Sequence, residues 1–388
     1  MQDELALSLQ RVRRGIQLAR LRRVGDLLHA HDHVHGFTSY PWVVPGPKVG
    51  AHRFGRWRAC RTDQRHAARR SGVCGHTDAI RFAVLRILLI VNSFASSVTA
   101  RNTVIVHRRL ARGHDVEVVE TNRRGHATRF ALDAARQGFD VVIGYGGDGT
   151  LNEVATGIAG TDTALGVLPG GSTNVFARTL GMPNDPIEAA DHLARGIDGA
   201  DLRPIGLGKV NGRFFCFHTG IGFDAAVVRA VEQRASLKRW LGHPLFITAG
   251  LTTWLRGYDR TRPHFSLTSP QGRIDDGFFS IVLNTNPYTY LGNRPLDLSP
   301  DAGLDRGLVV LTFRTLRVLP ILRGLGGALQ GGGVTTSDQL VEWTDVARLT
   351  VAGDGPFPYQ LDGDYLGNVD RLEFEHVPDA VQLVFPAP

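Results

Sequence analysis

The stretch that most restricts the fold is Gly144-Tyr145-Gly146-Gly147-Asp148-Gly149-Thr150-Leu151-Asn152-Glu153-Val154. It follows Phe139-Asp140-Val141-Val142-Ile143, a short β-branched run of the kind that forms a buried parallel strand. Behind it, Asn152-Glu153-Val154-Ala155-Thr156-Gly157-Ile158 has helical spacing. Strand, glycine turn and helix together aim backbone N–H groups at an anion. Glycines at 146, 147 and 149 remove the Cβ atoms that would hold a phosphate off. A carboxylate at Asp148 would repel phosphates unless a divalent cation stood between them. The segment therefore reads as a nucleotide loop that works through Mg²⁺. A plain βα turn, with Asp and Gly as turn formers, is the competing reading.

A chain of 388 residues, 43% of them apolar, can build two domains with real cores. Its three cysteines, Cys60, Cys74 and Cys216, have no metal-like spacing and fit a reducing cytoplasm. No apolar run reaches the roughly 18 residues of a membrane-spanning helix. Residues 1–83 hold 15 Lys+Arg against 6 Asp+Glu, and the remainder 29 against 31. The motif-bearing part is thus close to neutral, and the basicity of the whole is no argument for nucleic acid as a partner. The 1–83 extension is expected to be disordered or foreign to the native protein. A basic arm for anionic lipid head groups stays open. The favoured reading is translated upstream sequence, with a start near Val84.

From Val84 onward the pattern alternates strand and helix. Leu85–Val91 is a strand, Arg101–Arg112 a helix, Val116–Glu120 a strand, Arg129–Gln137 a helix and Val141–Ile143 the strand before the glycine loop. Ala164–Leu168 is a fourth strand, running into Pro169-Gly170-Gly171-Ser172-Thr173-Asn174. Loops at the carboxyl ends of parallel strands line the ligand crevice of open α/β sheets, and three of them carry Asn92, Asp148 and Asn174. Beyond about Asp201 come short strands with Gly, Pro and Asp turns, the pattern of an antiparallel β-sandwich. Helical stretches at Ala225–Leu255 and Leu316–Leu329 interrupt it, and a last strand, Val381–Phe385, is free to return to the first domain. The expected division is 84–200 with 373–388 as a nucleotide-binding α/β domain, and 201–372 as the sandwich.

The glycine loop and Leu168-Pro169-Gly170-Gly171-Ser172-Thr173-Asn174-Val175-Phe176-Ala177-Arg178 together resemble the diacylglycerol kinase catalytic family, which includes bacterial lipid kinases and the sphingosine and ceramide kinases. Gly220-Ile221-Gly222-Phe223-Asp224, Ser299–Asp305 and Gln360-Leu361-Asp362-Gly363-Asp364 continue the likeness in the family's order. The resemblance implies a Rossmann-like domain plus a β-sandwich, with the site in the cleft between them. It implies transfer of the ATP γ-phosphoryl group to a lipid hydroxyl, most simply diacylglycerol to phosphatidic acid, with Mg²⁺. Gly146, Gly147, Asp148, Gly149, Thr150 and Glu153 would hold the nucleotide with Asn92, Gly171, Ser172, Thr173 and Asn174. Asp148 would reach the metal through water, Asp201 would organise the metal and water network, and Asp364 matches the general base. Asp305, with Asp301, matches a structural Mg²⁺ loop of some bacterial members.

Relatives usually carry Asn-Pro-x-Ser-Gly after the first strand, where this chain has Asn92-Ser93-Phe94-Ala95-Ser96, and Glu where it has Asp364. From Val84 on there are only two lysines, Lys209 and Lys238, and no Walker lysine. Charge on the transferred group would be met by Mg²⁺, backbone N–H groups and an arginine. His218 reads as a core or cleft histidine. The apolar face of Phe246–Leu251 and Trp254 reads first as core and second as membrane contact. A cytoplasmic protein, peripheral at the inner face of the membrane, is expected, and a homodimer stays open. The alternatives are a NAD kinase-like phosphotransferase, which shares the glycine loop, and a nucleotide- or lipid-binding regulator without turnover.

Overall fold

Three apolar runs and one segment of mixed acids and valines become the parallel strands β1 (Arg86–Val91), β2 (Asp115–Glu120), β3 (Val141–Gly146) and β4 (Ala164–Pro169). This is a computed structural model of the chain, and it describes residues 84–233, 253 and 258–387. The basic segment 1–83 and the Phe246–Leu251 and Trp254 face lie outside the described residues. The strands are ordered β2-β1-β3-β4. The inner pair β3 and β4 bury every residue, whereas β2, at the edge, leaves alternate residues exposed.

The connecting helices are α1 (Ala100–Leu110), α2 (His126–Gln137), α3 (Asp148–Ile158), α4 (Val175–Thr179) and α5 (Pro186–Asp198). Their ends follow local chemistry. The Thr99 hydroxyl accepts from the Asn102 amide, and Asp185 accepts from the amides of Ile187 and Glu188 with Pro186 behind it. Helices α2 and α3 pack backbone to backbone at Gly157, where an added Cβ would lie 2.5 Å from the Thr128 carbonyl oxygen and 2.7 Å from the Ala131 Cβ.

The second region holds β5 (Leu202–Val210), β6 (Arg213–Phe215), β7 (His218–Gly222), α6 (Phe223–Glu232), β8 (Phe265–Ser269), β9 (Gly272–Gly277) and β10 (Phe279–Leu283). These are followed by β11 (Thr289–Leu291), β12 (Arg294–Leu296), β13 (Leu308–Phe313), α7 (Val318–Leu325), a 3₁₀ turn (Ala328–Gln330), β14 (Leu340–Val346), β15 (Arg348–Leu361) and β16 (Asp364–Val384). Period-two alternation divides its core in two. Ile221, Val282 and Val310 meet Leu267, Val351, Phe357 and Phe374 on one side. Ile281, Leu283, Val309 and Leu311 face a second cluster that Ile321 and Leu325 of α7 cover.

The two regions are not separate sheets. Strand β16 runs 21 residues, pairs antiparallel with β15 and β5, and at Gln382 and Leu383 pairs parallel with β4. Its pattern looks broken in sequence because Pro378 and Asp379 (φ 50) sit in a register shift between Val377 and Val381. A bulge bends a strand without ending it. The expected Leu316–Leu329 helix is α7 plus the 3₁₀ turn; of the expected Ala225–Leu255 helix, α6 accounts for the part up to Glu232, and the part beyond Gln233 lies almost wholly outside the described residues. No helix among the described residues is long and apolar enough to cross a membrane.

Because backbone oxygen cannot move aside as a side chain can, Gly157→Ala is expected to cost about 1–3 kcal/mol through forced separation of α2 and α3. The check is the urea midpoint, which should fall with the slope unchanged.

Candidate active site

The loops after β1, β3 and β4 meet at one end of the parallel sheet. Their approach depends on glycine: an added Cβ on Gly170 would lie 2.8 Å from the Gly146 Cα, and one on Gly171 2.8 Å from the Gly147 Cα. The Gly170 amide donates to the Gly146 carbonyl, and the Ser97 amide to the Gly170 carbonyl. Asn92 donates from Nδ2 to the Thr150 hydroxyl at 2.9 Å while its Oδ1 accepts from the Phe94 amide. Asn174 takes a left-handed conformation (φ 50) and closes its own turn. Its Oδ1 accepts from the Gly171 amide at 2.7 Å and its Nδ2 donates to the Gly171 carbonyl at 3.0 Å.

The acidic residues of α3 are engaged by the frame. Asp148 accepts from the amides of Val175 and Phe176, both at 3.0 Å, and so ties the glycine loop to the start of α4. Burial pushes its carboxyl up against the pull of those amides. Glu153 accepts from the amides of Gly125 (2.8 Å) and Ala127 (3.0 Å), holding the start of α2. Asn152 donates to the Phe214 carbonyl and to Asp362 at 2.8 Å, linking α3 to the second region.

Asp362, which the sequence presents as a turn residue, proves to be the most heavily bonded carboxylate of the site. Its oxygens accept from the amides of Cys216 (2.7 Å), Phe217 and His218 (both 3.0 Å) as well as from Asn152. Burial pushes its carboxyl up to about 7, against all four donors. The adjacent Cys216 thiol is pushed up by burial first and then by the charges of Asp362 and Asp148, so it is an inert thiol. With φ 47 at Asp362 and φ 85 at Gly363, the pair forms the two-residue turn that joins β15 to β16, the geometry in which Asp-Gly hairpins excel.

That turn delivers Asp364. Its Oδ1 accepts from the Arg124 guanidinium at 3.0 Å, and its Oδ2 lies 3.6 Å from where a Cβ on Gly149 would stand. The carboxylate is partly exposed beside the glycine loop. A further buried set braces the turn from behind. Gln360 accepts from the Gly363 amide at 2.8 Å and donates to Asp224 at 2.9 Å, and Asp224 also accepts from the Tyr288 hydroxyl at 2.5 Å. Burial raises the Asp224 carboxyl against these two bonds. His218 packs on the Tyr288 ring with its Nδ1 unpartnered, and burial lowers it to about 3, so the imidazole is neutral.

The structure thus brings together Asn92, Gly146, Gly147, Asp148, Gly149, Thr150, Gly171, Asn174 and Asp364, with Ser172 exposed and Thr173 half-buried at the loop tip. Asp201 stands elsewhere, in the turn between α5 and β5, bonded through both oxygens to Arg203. Asp301 faces Arg306 at 3.4 Å, and among the described residues no group of three or more His, Cys, Asp or Glu is gathered for a metal ion. Asp305 lies in the same loop, where its Oδ1 is 3.0 Å from a Cβ built on Gly303. For Mg²⁺ at the glycine loop the donor set suits an ion carried mainly by phosphates and water, because Asp148 already accepts an N–H on each oxygen. Asp362, Gln360 and Asp224 are the residues that sequence reasoning missed as parts of the site. The signal for Gln360 and Asp362 was present in the Gln-x-Asp-Gly-Asp spacing and that for Asp224 in Gly220-Ile221-Gly222-Phe223-Asp224, stretches that only the fold connects to each other and to the Cys216–His218 amides.

Two outcomes follow from burial. Asp362→Ala strips the acceptor from three backbone N–H groups and is expected to lower stability by about 3 kcal/mol or more, read from the urea midpoint. His218 has its folded pKa below the unfolded value, so the stability it confers is present above about 6.5 and lost as pH falls toward about 3. His218→Gln removes that loss. The wild-type curve of unfolding free energy should fall relative to the variant's by up to about 1.4 kcal/mol per pH unit across that window.

The chain is similar to known proteins in both sequence and fold. Residues 86–210 match the diacylglycerol kinase catalytic domain. A diacylglycerol kinase of Bacillus subtilis is 31% identical over 281 residues, covering 71% of this chain and 87% of the relative. A YegS-like lipid kinase of Pseudomonas aeruginosa is 30% identical over 280 residues, covering 71% and 86%. Two solved structures from Bacillus anthracis share the fold. One, described as a diacylglycerol kinase, has a TM-score of 0.57 at 20% identity over 78% of this chain and 97% of its own. Another reaches 0.62 at 23% identity over 78% and 98%. With its ordered glycine loops and a relative matched over most of its length, the chain belongs to the diacylglycerol kinase catalytic-domain family.

Proposed function

We propose that the protein is an ATP-dependent lipid kinase that transfers the γ-phosphoryl group to a lipid hydroxyl, with diacylglycerol as the acceptor. The observation that carries this is the placement of Asp364. An Asp-Gly turn, fixed from inside by Asp362 and Gln360, holds a partly exposed carboxylate against Gly149 of the glycine loop. A base at that point can take the acceptor's proton as the phosphoryl group arrives, an effect worth typically ~10²–10⁴-fold.

The other residues position and neutralise. Amides of Gly147 and Gly149 with the hydroxyls of Ser172 and Thr173 cradle the phosphates, for no Cβ at the glycines keeps them away. Arg124, paired with Asp364, brings the positive charge that a Walker lysine supplies elsewhere. Asp148 orients α4 and would hold a metal through water. Magnesium, when bound, would supply charge that neutralises the phosphate oxygens. Location at the cytoplasmic face of a membrane follows from a lipid acceptor together with ATP as the donor.

The test is labelled ATP with a total lipid extract and added NAD, followed by identification of the labelled product. Labelled phosphatidic acid is expected, whereas label only in NADP would replace this reading with a NAD kinase. Asp364→Asn should lower kcat by about 10²–10⁴-fold with the KM for ATP little changed, and an unaltered kcat would remove Asp364 from the base's role.

A further inference from the structure

Helix α7 is anchored on one face and bare on the other. Ile321 and Leu325 pack into the apolar cluster beneath it, Gly324 is buried against Leu340, and the Thr335 amide donates to the Gly324 carbonyl. Opposite them Val318, Leu319 and Leu322 are 46%, 58% and 62% exposed. Arg317 and Arg323 bracket these side chains and are themselves exposed, and no acidic residue occurs from Leu316 to Gly333. The hairpin of β11 and β12 continues the same chemistry, with Leu291 42% exposed and Arg294 exposed beside it. That hairpin is tied to the 3₁₀ turn after α7 by the Asp297 amide on the Ala328 carbonyl. It is tied to α4, behind the glycine loops, by Arg178 on the Gly292 carbonyl.

We infer that the outer face of α7, with the β11–β12 hairpin, is a docking surface for an anionic lipid bilayer, the leucines entering the acyl boundary and the arginines meeting lipid phosphates. The inference rests on the lipid-kinase reading and names the partner surface that reading needs. Protruding leucines ringed by arginines match the interfacial pattern of apolar insertion under cationic anchors. A symmetric contact with a second copy of this chain would bring the same arginines face to face, which argues against self-association on this surface. The helix is held by its buried face, so insertion needs no refolding.

The experiment is co-sedimentation of the full chain with vesicles of phosphatidylcholine, with and without phosphatidylglycerol, beside transfer assays on a short-chain, monomerically dispersed acceptor. Leu319→Glu combined with Leu322→Glu should weaken partition onto phosphatidylglycerol vesicles by about tenfold or more. Arg317→Gln combined with Arg323→Gln should weaken it by roughly fivefold per arginine, a difference that high salt erases. Both pairs should turn over the dispersed acceptor as the wild type does. Equal vesicle binding by wild type and both variants overturns the proposal, as does a wild-type dimer in sedimentation that the glutamate pair dissolves. Loss of vesicle binding in the glutamate pair, in a chain that never transfers phosphate to the dispersed acceptor, would uphold the surface and sink the kinase reading.

Discussion

The site depends on a hydrogen bond between two regions far apart in sequence, from Asn152 on the glycine-loop helix to the buried carboxylate of Asp362. A carboxylate taken out of water is costly unless its lone pairs are met. Here the amides of Cys216, Phe217 and His218 meet them, and Asn152 completes the set. That one acceptor fixes the entry to β7, the turn between β15 and β16 and the distance of both from α3. Asp364, two residues on, can face Gly149 because Asp362 faces inward.

Helix α3 applies the same device along its polar face. Asp148 holds the start of α4, Glu153 the start of α2, and Thr150 receives Asn92 from the loop after β1. The polar side chains that a nucleotide loop would be expected to offer a ligand are thus turned to holding the loops in place. What remains open to an anion is backbone N–H at glycine and the hydroxyls of an exposed loop tip. Preorganised amides stabilise developing phosphate charge without rearranging during transfer, and a frame of short charge-assisted bonds keeps them so.

Much of this was legible in the chain. The inner parallel strands announce themselves by nearly unbroken apolar runs, the edge strand β2 by valines among acids, and the glycine loops by a composition that few other structures require. Asp148 and Glu153 were also visible, but not their partners: the Val175 and Gly125 amides lie 27 and 28 residues away, and every residue has an amide. Sequence types name what a side chain can do, while the fold decides which neighbour takes the offer. Strand β16 was hidden for a related reason, since Pro378 and Asp379 break its periodicity locally and the pairing with β4 that overrides the break is remote. Asp201 lies away from the loops, paired with Arg203, because β5 enters the sheet beside the end of β16, which meets β4 at the end far from the loops, a pairing that the sequence does not announce.

In the proposed role of base, a shorter carboxylate places more weight on the backbone that presents it. An aspartate reaches less far than a glutamate by one methylene, so the main chain at 364 must lie close to the glycine loop and stay there. Two buried carboxylates achieve this from opposite sides of the turn, Asp362 through the amides of the β6–β7 junction and Asp224 through Gln360 to the Gly363 amide. A flexible carrier would give back in orientation what it gained in reach, since proximity counts only when the reacting geometry is held. The stiffness of the Asp-Gly turn and the brevity of Asp364 are therefore one feature, and the buried acids are what make the shorter side chain workable.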